Sequence, residues 1–355
     1  MIRLGALGDV VRTLPAVSAV RAAYPGAHIA WLVEPVAAGI VRGQPFLDEV
    51  IEFPRDALRA ALAGRAVGRL LRESTRFARA LYRRNFDLVL DFHSILRSGI
   101  LSRLSGARIR VAYARPFGRE FAYAFATHRA RLAPGRISRF ERNGALVRFL
   151  GVDDPPSRQP LHIAPEARAR VLAVLEEGGA PVAIHPGTSD ATPYKRYTVS
   201  GYAQMARALA KDVGVPCIVT RGPARGDRAI AHGIVDASEG AARLAPETPA
   251  LADLAALFAG CRLVVGSDTG PLHVASLVGT PVVQLLGPTD PIENAPWDRT
   301  PSRSLRVGLA CSPCRRGCPA ATCMRQLAPD AVVAAARELL VETADAGALA
   351  ATGTG

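Results

Sequence analysis

The chain has 355 residues, 49% of them hydrophobic, which suits about two domains of roughly 150 residues each. No run of about eighteen apolar residues occurs, which excludes a membrane-spanning helix, and the first residues lack the apolar core of a secretory signal, so a cytoplasmic protein is expected. The formal charge of +13 favours anionic partners, but 42 arginines against two lysines, Lys195 and Lys211, reads as codon bias that carries part of that charge without a functional message.

In chain order the expected strands of the first half lie at 2–4, 28–33, 49–53, 87–91 and 108–112, with helices at 10–24, 56–84 and 96–104. The second half is expected to hold strands at 182–185, 216–220, 263–266 and 281–286 and helices at 200–211, 225–232, 251–259 and 272–277. This alternation predicts parallel sheets flanked by helices. The proline-rich stretch 152–160 is expected to link a first domain, 1–155, to a second, 161–328. An Ala-rich helix over 329–343 follows, with docking back on the first domain as one placement, and 344–355 is expected to be a frayed tail. The first strand is short for a buried parallel strand, which leaves a truncated edge or a true start upstream of Met1; the upstream start is the expectation.

Three strand-to-helix loops carry the residues suited to chemistry. After the strand at 263–266 comes Ser267-Asp268-Thr269-Gly270-Pro271, whose small residues let backbone amides approach an anion at a helix N-terminus, with His273 in the first turn. Ser267 or Asp268 could equally do no more than cap that helix. After 182–185 comes HPGTSDATPYKR (185–196), with Gly187 for a tight turn, the hydroxyls of Thr188, Ser189 and Thr192, and Lys195 as a point charge for phosphate; a plain polar surface loop is the alternative. After the first strand, Gly8 and Asp9 open a helix, where Asp9 is either an ordinary N-terminal carboxylate or a general base.

Together the motifs RLGALGDVVRTLPA, HPGTSDATPYKRY and SDTGPLHVASLVGTPVVQLLGPTDP resemble glycosyltransferase family 9, the lipopolysaccharide heptosyltransferases, over nearly the whole chain. The run SPCRRGCP followed by Cys-Met looks like the heptosyltransferase-II-type branch. The resemblance implies an α/β GT-B fold of two facing Rossmann-like domains with parallel sheets, the acceptor bound to the first and the nucleotide sugar to the second. It implies an inverting, metal-independent enzyme without cofactor, moving heptose from ADP-L-glycero-D-manno-heptose to the lipopolysaccharide inner core. Asp9 matches the family's base. Thr188, Lys195, Asp268, Thr269, Gly270 and His273 match its donor contacts, Asp227 falls near its ribose-holding carboxylate, and the Ser189 hydroxyl of the same loop is a further donor-binding candidate. A family-9 transferase with another sugar or acceptor, or a non-catalytic basic binding protein on the same fold, are the alternatives.

Arg65, Arg69, Arg72, Arg76, Arg79 and Arg83 are spaced 4, 3, 4, 3 and 4, one helical stripe, and 101–148 adds eleven arginines interleaved with aromatics. The stripe is either a solvated face or a surface for phosphorylated lipid A–Kdo, a heptosylated core acceptor and the anionic inner leaflet, which would place the protein peripherally on the inner membrane. Arg97, Arg139 and Arg142 are candidate acceptor contacts by location. No helix-turn-helix, zinc-finger, RRM or KH pattern supports nucleic acid as partner. Cys311, Cys314, Cys318 and Cys323, spaced C-x2-C-x3-C-x4-C, are expected to be reduced structural thiols, with a structural metal as the alternative and no metal in the active site.

Overall fold

The computed structural model describes residues 1–153, 161–175, 179–222, 225–314 and 316–352. The linker expected at 152–160 lies outside them from residue 154 on. The chain divides into two compact units, Met1–Pro160 and Leu161–Gly355. Both are α/β with all strand pairs parallel, the fold class expected.

In the first unit the strands are β1 (Ala30–Val33), β2 (Glu49–Glu52), β3 (Leu88–Asp91), β4 (Ile109–Tyr113) and β5 (His128–Ala130). Its helices are α1 (Leu7–Val11), α2 (Leu14–Ala23), α3 (Pro35–Val41), α4 (Arg55–Ala63), α5 (Val67–Tyr82), α6 (Leu96–Leu104) and α7 (Arg139–Arg148). β1 pairs with β2, and β3, β4 and β5 form a second run. Residues 1–4 bridge the two: Ile2 pairs in parallel with Leu32 on one side and Asp91 on the other. The expected first strand is thus a short central segment. Its Ile2 and Leu4 join Leu32, Ile51, Phe53 and Leu81 in one apolar core.

In the second unit a six-stranded sheet runs in the order β11-β10-β9-β6-β7-β8. Its strands are β6 (Val182–His185), β7 (Cys217–Val219), β8 (Ala242–Leu244), β9 (Leu263–Ser267), β10 (Val282–Leu286) and β11 (Ser302–Arg306). The helices are α8 (Pro165–Leu175), α9 (Val199–Val213), α10 (Arg225–Ala237), α11 (Leu251–Ala259), α12 (Gly270–Leu277), α13 (Thr322–Arg325) and α14 (Pro329–Thr352). The inner strands are buried throughout, as expected where helices cover both faces of a parallel sheet.

Differences from the sequence reading have local causes. The helix expected at 10–24 divides into α1 and α2 at Arg12 and Thr13, where Pro15 takes an early position of the new helix. The helix expected at 56–84 divides at Gly64 and Arg65, the latter at φ +51°. Three strands went unread: β5, β8 and β11 are edge strands carrying arginines, so they lack the apolar run. α14 continues to Thr352, past the tail expected to fray from 344, because the Ala-rich sequence is a good helix former. Its Val332, Ala336, Leu339 and Leu340 are buried in the core of the second unit.

Candidate active site

In the second unit, chain order reverses between β6 and β9, which lie side by side. Ligands of open parallel sheets sit outside the carboxyl ends at such a point. The loops after these two strands meet there. Lys195 Nζ donates to Asp268 Oδ2 at 3.2 Å and to the Asp268 carbonyl at 3.5 Å. His273, in the first turn of α12, is fully buried, with Nε2 3.4 Å from Asp268 Oδ1. Thr269 is the extended N-cap of α12, and its Oγ1 is buried with no hydrogen-bond partner among the described residues. Gly270 opens the helix, with Pro271 in its first turn. A cation, a hydroxyl without a partner among the described residues and the amino end of a helix therefore converge, a set suited to phosphate oxygens.

Arg196 organises a second group. Its Nε donates to Thr188 Oγ1 at 3.0 Å, and Nη2 reaches Asp227 Oδ1 at 3.4 Å and Asp190 at 3.6 Å. Asp227 lies against two glycines: a Cβ on Gly222 would stand 2.3 Å from its Oδ2, one on Gly187 3.4 Å from its Cγ. Burial raises the Asp227 carboxyl above its ordinary range, and Arg196 opposes that rise. Ser189, by contrast, is exposed; its hydroxyl accepts from Ala191 N at 3.2 Å, and its carbonyl accepts from Thr192. It shapes the turn and does not join the Lys195–Asp268 group.

His185 ends β6 beneath these loops. Thr220 Oγ1 donates to the Ile184 carbonyl at 3.2 Å, so its oxygen is left to accept from His185 Nδ1 at 2.8 Å. Burial lowers the His185 pKa to about 4. The unfolded chain binds a proton below about pH 6.5 while the fold does not. Stability from this residue is therefore present above pH 6.5 and lost as pH falls toward 4, by about 3 kcal/mol at most. Urea unfolding at pH 7 and pH 4 should show this acid-side loss in the native protein and not in His185→Gln; parallel losses would refute it.

The first unit has a matching switch beside residues 1–4, and here Asp9 sits in α1. Arg3 Nη2 approaches its Oδ2 at 2.5 Å, and Arg139 Nη1 and Arg12 Nη1 approach its Oδ1 at 2.9 and 3.4 Å. Burial pushes the Asp9 carboxyl upward, but Arg3, Arg139, Arg12 and Arg142 together outweigh it and hold the group well below the usual carboxylate range. Asp9 is ionised and heavily paired, more than a simple cap.

Arg139 and Arg142 are brought to this centre because Ser138 caps α7, accepting from Glu141 N at 3.0 Å. Arg142 lies 5.8 Å from the Tyr113 ring centroid and 5.9 Å from that of Phe117. Arg97 is held instead by Glu34, at 2.9 Å, which also pairs with Arg55 at 2.6 Å. Glu34 is itself buried, and a Cβ on Gly5 would stand 3.5 Å from its Oε2, so this pair lines the Gly5 turn. His93, after β3, feels the charge of Arg3 and Asp9, and burial lowers its pKa to about 3.

Sequence reasoning missed Arg3, Glu34 and His93. A signal existed for Arg3: an arginine within the apolar run Ile2-Arg3-Leu4 must have a partner if buried, and it donates to Phe92 O at 2.7 Å as well as to Asp9. Cys311, Cys314 and Cys318 are exposed and Cys323 buried, all free, and the described residues hold no grouping of three or more His, Cys, Asp or Glu side chains able to hold a metal.

Comparison with known proteins gives consistent results. The family model for glycosyltransferase family 9 (heptosyltransferase) matches residues 74–323. The lipopolysaccharide heptosyltransferase 1 of Pseudomonas aeruginosa is 28% identical over 321 residues, covering 88% of this chain and 85% of that one. The lipopolysaccharide core heptosyltransferase OpsX of Haemophilus influenzae is 23% identical over 300 residues, covering 84% and 81%. Among solved structures, a family-9 glycosyltransferase of Veillonella parvula superposes with a TM-score of 0.76 at 22% identity, covering 96% of each chain. The E. coli heptosyltransferase WaaC bound to ADP-2-deoxy-2-fluoro heptose superposes with a TM-score of 0.75 at 22% identity, covering 95% of this chain and 98% of that one.

Proposed function

The chain belongs to glycosyltransferase family 9, and we propose that it moves heptose from ADP-heptose to a lipid-linked lipopolysaccharide inner-core acceptor with inversion at the anomeric carbon. The observation that carries this reading is the convergence around Asp268 of Lys195, the Thr269 hydroxyl, which has no partner among the described residues, and the N-terminus of α12. In it, Lys195, Thr269 and the Gly270 amide take the diphosphate, and Asp268 and His273 hold the sugar side. Asp227, set close by Gly187 and Gly222, takes the ribose hydroxyls. Thr188 anchors this loop through Arg196, with Ser189 at its rim.

The leaving diphosphate gains negative charge, which a fixed cation and fixed amides stabilise without reorganising. Metal independence is part of the reading, supported by this chain's own charged and N–H groups. Asp9 takes the proton of the attacking acceptor hydroxyl, and Arg139, Arg142 and Arg97 meet the acceptor's anionic groups. The acceptor's lipid chains put that encounter at the inner-leaflet surface, so the protein works as a peripheral protein on the cytoplasmic side. Among the described residues no helix is long and apolar enough to cross a membrane.

The test is mass spectrometry of products after incubation with ADP-heptose and defined Kdo- and heptose-terminated acceptors. A mass gain of one heptose on either acceptor supports the reading. Donor binding with no transfer to any acceptor would favour a binding protein on this fold, and transfer only from another nucleotide sugar would favour the alternative donor.

A further inference from the structure

α5 has three faces. Phe77 and Leu81 turn toward the first unit, with Leu81 in its core and Phe77 packed on Phe53 with ring centroids 5.6 Å apart, and the half-buried Leu70 lies on the same stripe. On the opposite side Arg69, Arg72, Arg76, Arg79 and Arg83 are exposed and make no ion pair among the described residues. Between the two lies a flank at i, i+4 and i+15, Val67, Leu71 and Tyr82, which are 65, 59 and 65% exposed. Water-facing apolar side chains of this size, set beside unpaired cations, are not what a solvated helix face requires.

The apolar flank continues onto α6, which packs against α5. Tyr82 lies over the end of α6, where a Cβ on Gly106 would stand 2.6 Å from its ring. α6 carries Leu96, Ile100 and Leu104 on one stripe at 43, 40 and 42% exposure. Beyond it, Phe121 is exposed, and the Arg115 guanidinium lies 5.8 Å from its ring centroid.

From this surface we infer that α5 and α6 form a docking face for the anionic phospholipid bilayer, the arginines lying among headgroups and Leu71, Tyr82 and Ile100 entering the acyl boundary. The inference rests on the lipid-linked acceptor proposed above and names the surface that meets its membrane. Charge complementarity selects an anionic partner. The apolar flank selects lipid over nucleic acid, whose backbone rewards cations alone. A helix with a cationic face and an apolar flank lies in the plane of the interface.

The experiment is flotation of the full chain with vesicles of phosphatidylcholine alone or with 30% phosphatidylglycerol, at low and at high salt. Binding is expected only with phosphatidylglycerol. Arg72→Glu/Arg76→Glu/Arg79→Glu should weaken it by about 100-fold or more, since each cation near such a surface contributes severalfold. Leu71→Ser/Ile100→Ser should retain low-salt binding but lose what survives high salt. Both variants should transfer heptose to a soluble, delipidated acceptor at the native rate, so loss of docking is separable from loss of activity. The inference is overturned if the native chain ignores anionic vesicles, if the charge-reversed variant floats equally well, or if the chain binds RNA with higher affinity than vesicles.

Discussion

Asp9→Asn is expected to lower heptosyl transfer by about 1000-fold, within the usual range for loss of a positioned base, while ADP-heptose binding is unchanged. The two readouts separate because Asp9 lies in the first unit and the proposed donor residues in the second. The variant also leaves Arg3 buried without its carboxylate, so a stability loss of about 3 kcal/mol should accompany it. Urea unfolding alongside the assay tells inactive folded protein from unfolded protein. Normal turnover by a folded Asp9→Asn variant would remove the base assignment.

The arginine cage adds a further expectation. A carboxylate held well below its ordinary range is ionised but a weak base. Arg139, a third exposed, is the outermost of its partners, and an anionic acceptor competing for it would return basicity to Asp9. In Arg139→Gln, KM for the acceptor should rise about tenfold or more, as for loss of one charge-assisted bond. The acid limb of kcat/KM should also move to higher pH, because one of the groups depressing Asp9 is gone. An unmoved limb would refute the coupling.

Lys195→Ala is expected to lower kcat by about 100- to 1000-fold, the scale for removing one donor that stabilises developing charge. Lys195 contacts Asp268 in the free protein, so its removal also takes a charged partner from a buried carboxylate. Lys195→Arg is not a conservative repair, since a planar fork cannot replace a compact point charge beside Asp268. ADP-heptose affinity by calorimetry and single-turnover rates distinguish the outcomes. An effect confined to KM would mean that Lys195 binds ground state and transition state alike.

Much of this was readable from local pattern. Apolar runs such as VVQLL and LVVGS mark buried parallel strands because both faces must be covered, and the strand Val182–His185 and the helices Leu96–Leu104 and Leu251–Ala259 have the bounds their periodicity predicts. The loop motifs identified Asp9, Lys195 and Asp268 as candidates. α7 went unread even though Ser138-Arg-Phe-Glu141 is a capping pattern, because the apolar periodicity behind it is weak.

By itself, then, the sequence determined the strand–helix alternation, the two-domain scale and the three glycine-containing loops, since these depend on residues close together in the chain. Only the tertiary structure decided which loops meet. Lys195 and Asp268 are 73 residues apart, yet they touch because parallel pairing sets β6 beside β9. Arg139 reaches Asp9 across 130 residues because α7 packs on α2. Such pairings follow from strand order and helix packing, which distribute contacts over the whole chain and leave no periodic trace near either partner.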